Sequence, residues 1–535
     1  MMQGNSYKKH HIPRLLLAAG ASGSGKTLIT CGLLQALVDR GLSVASFKCG
    51  PDYIDPMFHS RVIGTKSRNL DTFFTGKSRT CYLFAQNAGD CDIAVMEGVM
   101  GYYDGVGGTT TQASAYELAD ITDTPVLLIV NSKGMSVSLA AYIKGFLEYK
   151  KDSHIQGVIF NQMSPMLYPR MKKLAEEELN IRVYGYVPKV EDCVIESRHL
   201  GLVLPEEIPE LRQRLRKLAT VLEETIDIDG ILKLAGSAPC LEAPAGLEEE
   251  DVDFGWNIWK ETIGQASHAS KIPAPRIGLA SDEAFCFFYE DNLELLRRMG
   301  AQLIPFSPIH DKHLPAGLDG LLLYGGYPEL NAKALEENVS MRREIAAAIR
   351  QGMPCMAECG GFMYLHEEME DMEGGFFQMA GIIPGRARRT PKLTRFGYIT
   401  LEQNKAEGQK QADRPGLSGR GMEKKQDTSG NPALDEGNVP DSEASCGQVA
   451  SEPGKIPVLG VPDLGQFPAH EFHYFDSDSC GNAFHATKPQ SRRGWDCIHG
   501  TDRLLAGFPH LYYYAKPAIP KAFLKKCLEY RAKRA

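Results

Sequence analysis

Two short stretches of the chain carry residue types whose spacing could do chemistry. Gly20-Ala21-Ser22-Gly23-Ser24-Gly25-Lys26-Thr27 fits the pattern GxxxxGK[ST] in full. In such a loop Gly20, Gly23 and Gly25 let backbone N–H groups close around phosphates. Lys26 reaches the β- and γ-phosphates of a nucleotide such as ATP, and Thr27 gives a hydroxyl to Mg²⁺. The second stretch is Met353-Pro354-Cys355-Met356-Ala357-Glu358-Cys359-Gly360-Gly361. It reads as strand, sharp turn and helix, with Cys359 exposed on the turn as a nucleophile and the helix N-terminus lowering its thiol pKa. Glycines behind the cysteine free N–H groups for an oxyanion. Tyr324-Gly325-Gly326-Tyr327 repeats the glycine pair after another apolar run, so Gly325, Gly326 and Gly360 are the expected oxyanion donors. Cys355 lies deeper in its strand and reads as structural.

Phosphoryl chemistry also needs carboxylates. Glu97 closes the apolar run Ile93–Met96, and Asp52 and Asp55 sit in Lys48-Cys49-Gly50-Pro51-Asp52-Tyr53-Ile54-Asp55-Pro56 after another. Residues that follow successive strands gather at the carboxyl edge of a parallel sheet, where ligands bind. Glu97 is therefore expected at the metal with Thr27, and Asp52 and Asp55 beside the transferred group. A cysteine nucleophile needs a histidine base. His470, His473 and His510 are the candidates, and spacing does not choose among them.

The elements that must hold these residues alternate. Leu15–Ala19, Val44–Phe47, Ile93–Glu97, Val126–Val130 and Val158–Asn161 read as buried strands, separated by helical stretches such as Leu28–Val38. That alternation predicts an α/β fold with a parallel sheet covered by helices. A second α/β pattern begins at Arg276, with strands at Ile277–Ala280, Gln302–Phe306, Gly320–Tyr324 and Pro354–Ala357 and a closing helix near Ala522–Tyr530. Between them, 235–275 is rich in Ala, Pro, Gly and acidic residues and reads as a linker. From 402 to 455 large apolar residues are sparse, so a disordered insertion is expected. The division is 12–234, a linker, and 276–535.

Composition narrows the partners. Net charge is −8 over 535 residues, and the 59 basic residues are scattered instead of forming runs, which excludes a nucleic-acid footprint. No apolar stretch approaches the ~18–20 residues a membrane span needs. Thirteen cysteines with no secretory start and no paired CxxC spacing read as thiols of a cytoplasmic protein.

Taken together, these motifs resemble the cobyrinic acid a,c-diamide synthase family, ATP- and glutamine-dependent amidotransferases of corrin biosynthesis. The blocks that carry the resemblance are Gly20–Thr27, Lys48–Pro56 with Asn69-Leu70-Asp71, Glu97–Asp104, Arg198–Leu202, Gly325–Leu330, Ala357–Leu365, Ala380–Arg386 and His470–Tyr474. It implies a dethiobiotin-synthetase-like P-loop domain followed by a class I glutamine amidotransferase-like domain. It implies Cys359 as nucleophile, His510 as its histidine, and Tyr53 and Asp104 with Asp52 and Asp55 at the substrate side. Family members often carry His-x-His near the end, where this chain has Tyr512 in the second place, so the third member of the triad is unassigned. The implied partners are cobyrinic acid, L-glutamine and ATP, with homo-oligomerisation left open. Nickel-sirohydrochlorin a,c-diamide synthesis and cobyric acid synthesis are the nearest alternatives. A P-loop switch with a non-catalytic C-terminal module is the alternative of a different class.

Overall fold

Apolar runs without alternation bury both faces, and in the computed structural model they build a parallel sheet. The structure describes residues 7–190, 197–198, 201–202, 210–246, 274–404 and 457–534. Seven strands lie side by side in the order Lys66–Leu70, Val44–Cys49, Ile93–Glu97, Arg14–Ala19, Val126–Asn131, Ile155–Asn161 and Val183–Val187. Every pairing is parallel, and the connecting helices include Lys26–Asp39, Thr72–Ala88 and Ala115–Thr122. Strand Arg14–Ala19 is buried from end to end. Its carboxyl end feeds the phosphate loop, and Glu97 ends the neighbouring strand at the same edge.

A second sheet has six strands in the order Gln302–Phe306, Arg276–Ala280, Gly320–Leu323, Cys355–Glu358, Leu504–Gly507 and His499–Gly500. The first five are parallel and the last is antiparallel. Beside it, Gln466–His473, Arg395–Gln403, Phe484–Thr487 and Gly494–Cys497 form an antiparallel sheet that the sequence reading did not anticipate. The helix Ala518–Arg534 closes the described chain.

Two expected segments begin differently. Helix Ile228–Gly236 runs into the stretch read as a linker, and Leu241–Pro244 pairs antiparallel with Tyr7–His10. The buried Arg14 guanidinium donates to Pro239 O at 2.7 Å, which ties this stretch to the first sheet. Residues 247–273 lie outside the described residues. Glu402 and Gln403, read as the start of the disordered insertion, complete the strand Arg395–Gln403. The Gln403 side chain accepts from Leu464 N at 2.6 Å and donates to Pro462 O at 3.2 Å. Residues 405–456 lie outside the described residues, as do parts of the 198–202 block.

The two α/β halves meet face to face. Arg68 pairs with Asp291 at 3.3 Å, Tyr398 donates its hydroxyl to Asp71 at 2.8 Å, and Arg79 donates to Tyr514 O. Among the described residues, no helix is long and apolar enough to cross a membrane.

Candidate active site

The phosphate loop closes at the start of helix Lys26–Asp39. Gly25 sits at its N-cap with φ +91°, a left-handed conformation that glycine adopts without penalty. Asn161 braces the loop by donating to Ser24 O at 2.8 Å. A side chain at Gly20 would overlap the Tyr142 hydroxyl, so bulk is excluded there. Lys26 is buried and donates to Ala21 O at 3.2 Å and to Met100 O. Burial, then the neighbouring Lys48 ammonium, lowers its pKa to about 8, against the pull of Glu97, Asp55 and Asp104.

Behind the loop lies a buried charge cluster. Thr27 Oγ1 donates to Glu97 Oε1 at 2.6 Å, and Lys48 Nζ bridges Glu97 Oε1 at 2.8 Å and Asp55. His59 Nε2 faces Glu97 Oε2 at 3.3 Å. Burial works against the Lys48 ammonium, but Asp55 and Glu97 outweigh it and hold the group well above its ordinary range. Burial also opposes ionisation of Glu97, yet Lys48 and His59 carry that carboxyl well below the usual range. Thr27, Asp55 and Glu97 present hard oxygen donors at one point, and Glu97 Oε2 has no formed hydrogen bond. That set suits Mg²⁺ held jointly with phosphate oxygens and waters. Among the described residues, no group of three or more His, Cys, Asp or Glu forms a metal cage without them.

On the other sheet Cys359 follows strand Cys355–Glu358 and adopts φ +48°, ψ −105°, the strained backbone of a nucleophile turn. Its N–H donates to Gly507 O at 2.8 Å. Gly361 approaches Leu323 O too closely for any side chain. A Cβ at Gly360 would stand 3.2 Å from Gly326 N, and one at Gly325 would lie 2.9 Å from His510 Cε1 and 3.5 Å from Cys359 Cβ. The expected oxyanion glycines therefore surround the cysteine and the histidine. His510 stacks on His470, with centroids 4.9 Å apart, and exchanges backbone hydrogen bonds with it. Burial, with His473 adding to it, lowers the His510 pKa to about 3, so its imidazole is neutral and free to act as a base. Next to Cys359 on its strand, Glu358 is pushed up to about 8 by burial, with the Leu511 N–H opposing.

One expectation needs correction. The thiol of Cys359 is raised, not lowered: burial dominates, the Glu329 carboxylate adds to it, and the Gly360 N–H opposes weakly. The helix behind it spans only Gly360–Tyr364, too short to supply a strong dipole. Asp52 lines the cavity beside the phosphate loop and also caps its own turn, accepting from Ile54 N at 2.9 Å and Asp55 N at 3.1 Å. Asp104 lines the same cavity, acts electrostatically on Lys26 and accepts from Gly101 N at 2.9 Å. Tyr53 lines the cavity that the phosphate loop also lines, and its ring stacks on Phe287, 5.4 Å away at 8°. Tyr512 donates to Asp291 Oδ2 at 2.9 Å. Of the histidines left open, His473 donates Nδ1–H to Phe475 O and packs on Phe508. Lys48 was missed, although its place at a strand end beside Asp52 and Asp55 was visible in the sequence.

The phosphate loop, Asp55, Cys359, His470 and His510 all line one cavity of about 1510 Å³. Residues 15–202 match the CobQ/CobB/MinD/ParA nucleotide binding domain, and residues 276–413 match the CobB/CobQ-like glutamine amidotransferase domain. The cobyrinate a,c-diamide synthase of Caldanaerobacter subterraneus subsp. tengcongensis is 34% identical over 97% of this chain and all of that protein. The chain belongs to the cobyrinate a,c-diamide synthase family. The member from Thermoplasma volcanium is 33% identical over 98% of this chain and 99% of its own. The Listeria innocua member is 39% identical over 73% and 82%. Membership makes the protein a carbon–nitrogen ligase with a nucleotide-binding domain and a glutamine amidotransferase domain.

Proposed function

We propose that the protein converts the a and c acetate carboxylates of cobyrinic acid to amides, with ATP as phosphoryl donor and glutamine as nitrogen source. The single observation that carries this reading is the shared cavity, which puts a phosphate loop and a cysteine–histidine pair within one enclosure. The relatives' names supply the substrate. Cys359 attacks the glutamine carboxamide after His510 takes the thiol proton. The proton returns to the leaving nitrogen as ammonia departs, and water releases glutamate from the thioester. Gly326 and Gly360 amides face the developing oxyanion. On the opposite wall Lys26 and the loop amides hold the triphosphate of ATP while a substrate carboxylate takes the γ-phosphoryl group and ADP leaves. Ammonia then displaces phosphate from the acyl phosphate. Thr27, Glu97 and Asp55 would hold Mg²⁺, which supplies charge neutralisation for the phosphates when bound.

The domain division we propose is a P-loop amide-forming unit built on 12–234, extended by the paired strands Tyr7–His10 and Leu241–Pro244, and a glutaminase unit at 276–535. Among the described residues no disulfide is formed, which suits a reducing, cytoplasmic setting. Mass spectrometry of products from cobyrinic acid and from nickel-sirohydrochlorin, each with ATP and glutamine, tests the assignment. Two carboxyl-to-amide conversions on cobyrinic acid are expected. Turnover confined to the nickel compound would overturn it.

A further inference from the structure

Glu358 and His510 are both sealed from solvent, and Glu358 Oε2 stands 3.8 Å from His510 Nδ1. His510 Nδ1 has no hydrogen-bond partner, and neither has Glu358 Oε1. A buried polar atom without a partner costs free energy, so two such atoms on facing groups call for an explanation. Backbone geometry fixes both groups. Glu358 precedes the nucleophile on its strand, and its Oε2 accepts from Leu511 N, the residue after His510, at 3.3 Å. His510 is pinned from the other side by its backbone hydrogen bonds to His470.

We propose that Glu358 is the positioning carboxylate of the glutaminase, holding His510 by Nδ1 so that Nε2 takes the proton from Cys359 Sγ. This rests on the reading of Cys359 and His510 as a glutaminase pair. The third member of the triad thus comes from the residue before the nucleophile, not from the segment after the histidine. Tyr512 is unavailable for the task because its hydroxyl is engaged by Asp291. Glu471, another buried carboxylate acting on Cys359, faces Trp495 Nε1 at 3.3 Å and His473 Nε2 at 3.6 Å. A separation of 3.8 Å is long for a hydrogen bond. Proton uptake at Nε2 places a cation beside Glu358, which favours its ionised form and draws the pair together.

The test measures glutamate release, which needs no corrinoid and so is independent of the substrate assignment. Glu358→Gln keeps the shape and removes the charge. It should lower the glutaminase kcat by roughly 10⁴-fold, the scale of losing the orienting carboxylate of a catalytic triad. The KM for glutamine should stay within twofold, and ammonia-dependent amide synthesis should match the parent. If Glu358→Gln does not fold, Glu358→Met fills the same space without a buried polar end and carries the same expectation. A kcat within threefold of the parent overturns the proposal, as does a rise in KM at constant kcat or a matching loss of the ammonia reaction. Glutamate release by Cys359→Ser at the parental rate would instead overturn the underlying glutaminase reading.

Discussion

Tyr53, from the loop that follows strand Val44–Cys49 of the nucleotide-binding sheet, packs against His510 of the glutaminase, ring centroids 5.2 Å apart. The same ring touches Phe287, Tyr289 and His470. Two residues further on, Asp55 meets Lys48 at the back of the phosphate site. A single short loop therefore has one side chain in each centre.

Removing that ring should separate the two reactions unequally. Tyr53→Ala takes away a packed aromatic, a change that costs about 3–5 kcal/mol in well-filled sites, and it leaves His510 with one wall missing. Glutamine-dependent synthesis should fall at least tenfold further than ammonia-dependent synthesis, and Tyr53→Phe should restore both. Equal loss of the two activities in Tyr53→Ala would contradict a specific link to His510.

The phosphate loop could be read directly because its chemistry is local: eight consecutive residues carry it, and a strand and helix must flank it. Gly320–Leu323 and Ile93–Glu97 were legible for a similar reason, since unbroken apolar runs signal buried parallel strands. Lys48 was not, because its role depends on Glu97, which only the folded sheet brings alongside it. Burial likewise decides the Cys359 thiol and the Glu358 carboxyl, and no spacing rule reports it. The strand Arg395–Gln403 did leave a trace, since Ile399, Leu401 and Gln403 alternate as its buried positions. Its adjacency to the polar stretch from 405 onward hid that period of two.

Lys48→Met tests the charge cluster. It leaves Asp55 and Glu97 buried without their cation, and breaking such a pair costs about 3–5 kcal/mol. Urea unfolding should show a loss of this order, and millimolar Mg²⁺ should recover part of it in the variant more than in the parent. An unchanged midpoint would show that the ammonium is dispensable.

Asp71 gives a pH signature at the junction of the halves. Burial raises its carboxyl to about 7, against the Tyr398 hydroxyl and the Phe73 and Phe74 amides that favour ionisation. The folded form therefore holds a proton that the unfolded chain, with an ordinary carboxylate, has released. Stability from this group is fully present below about pH 4 and is lost as pH rises through 7, with a slope of at most about 1.4 kcal/mol per pH unit. Asp71→Asn retains the helix cap and the Tyr398 contact without the titration. Its unfolding free energy should fall less steeply between pH 5 and 7 than the parent's, and parallel curves would contradict the raised carboxyl.

Lys26→Ala should abolish amide formation whether nitrogen comes from glutamine or from ammonium salts. Both routes need the acyl phosphate, and the lost cation stabilises the transferring phosphoryl group by several kcal/mol. Glutamate release should persist, because Cys359 and His510 stand on the other sheet. Substantial nucleotide-dependent amidation by this variant would remove the phosphate loop from the mechanism.

Cys359→Ser separates the centres from the opposite side. Serine fits the φ +48° turn as cysteine does, so the elbow and its Gly507 contact should survive. The attacking atom changes from a thiol to a hydroxyl that is harder still to deprotonate, and His510, neutral at physiological pH, is too weak a base to compensate. Thioester formation should nearly stop. The phosphate loop and its charge cluster are untouched, so ammonia at high concentration should still attack the acyl phosphate. Glutamine-dependent synthesis should drop by at least a thousandfold while ammonia-dependent synthesis stays within threefold. His510→Ala should show the same split. His473→Ala should not, because that ring's Nδ1 is taken by Phe475 O and its Nε2 faces Glu471. Normal glutamine use by Cys359→Ser would end the glutaminase assignment, and loss of the ammonia reaction in a folded variant would show that the two centres do not act as separate sites.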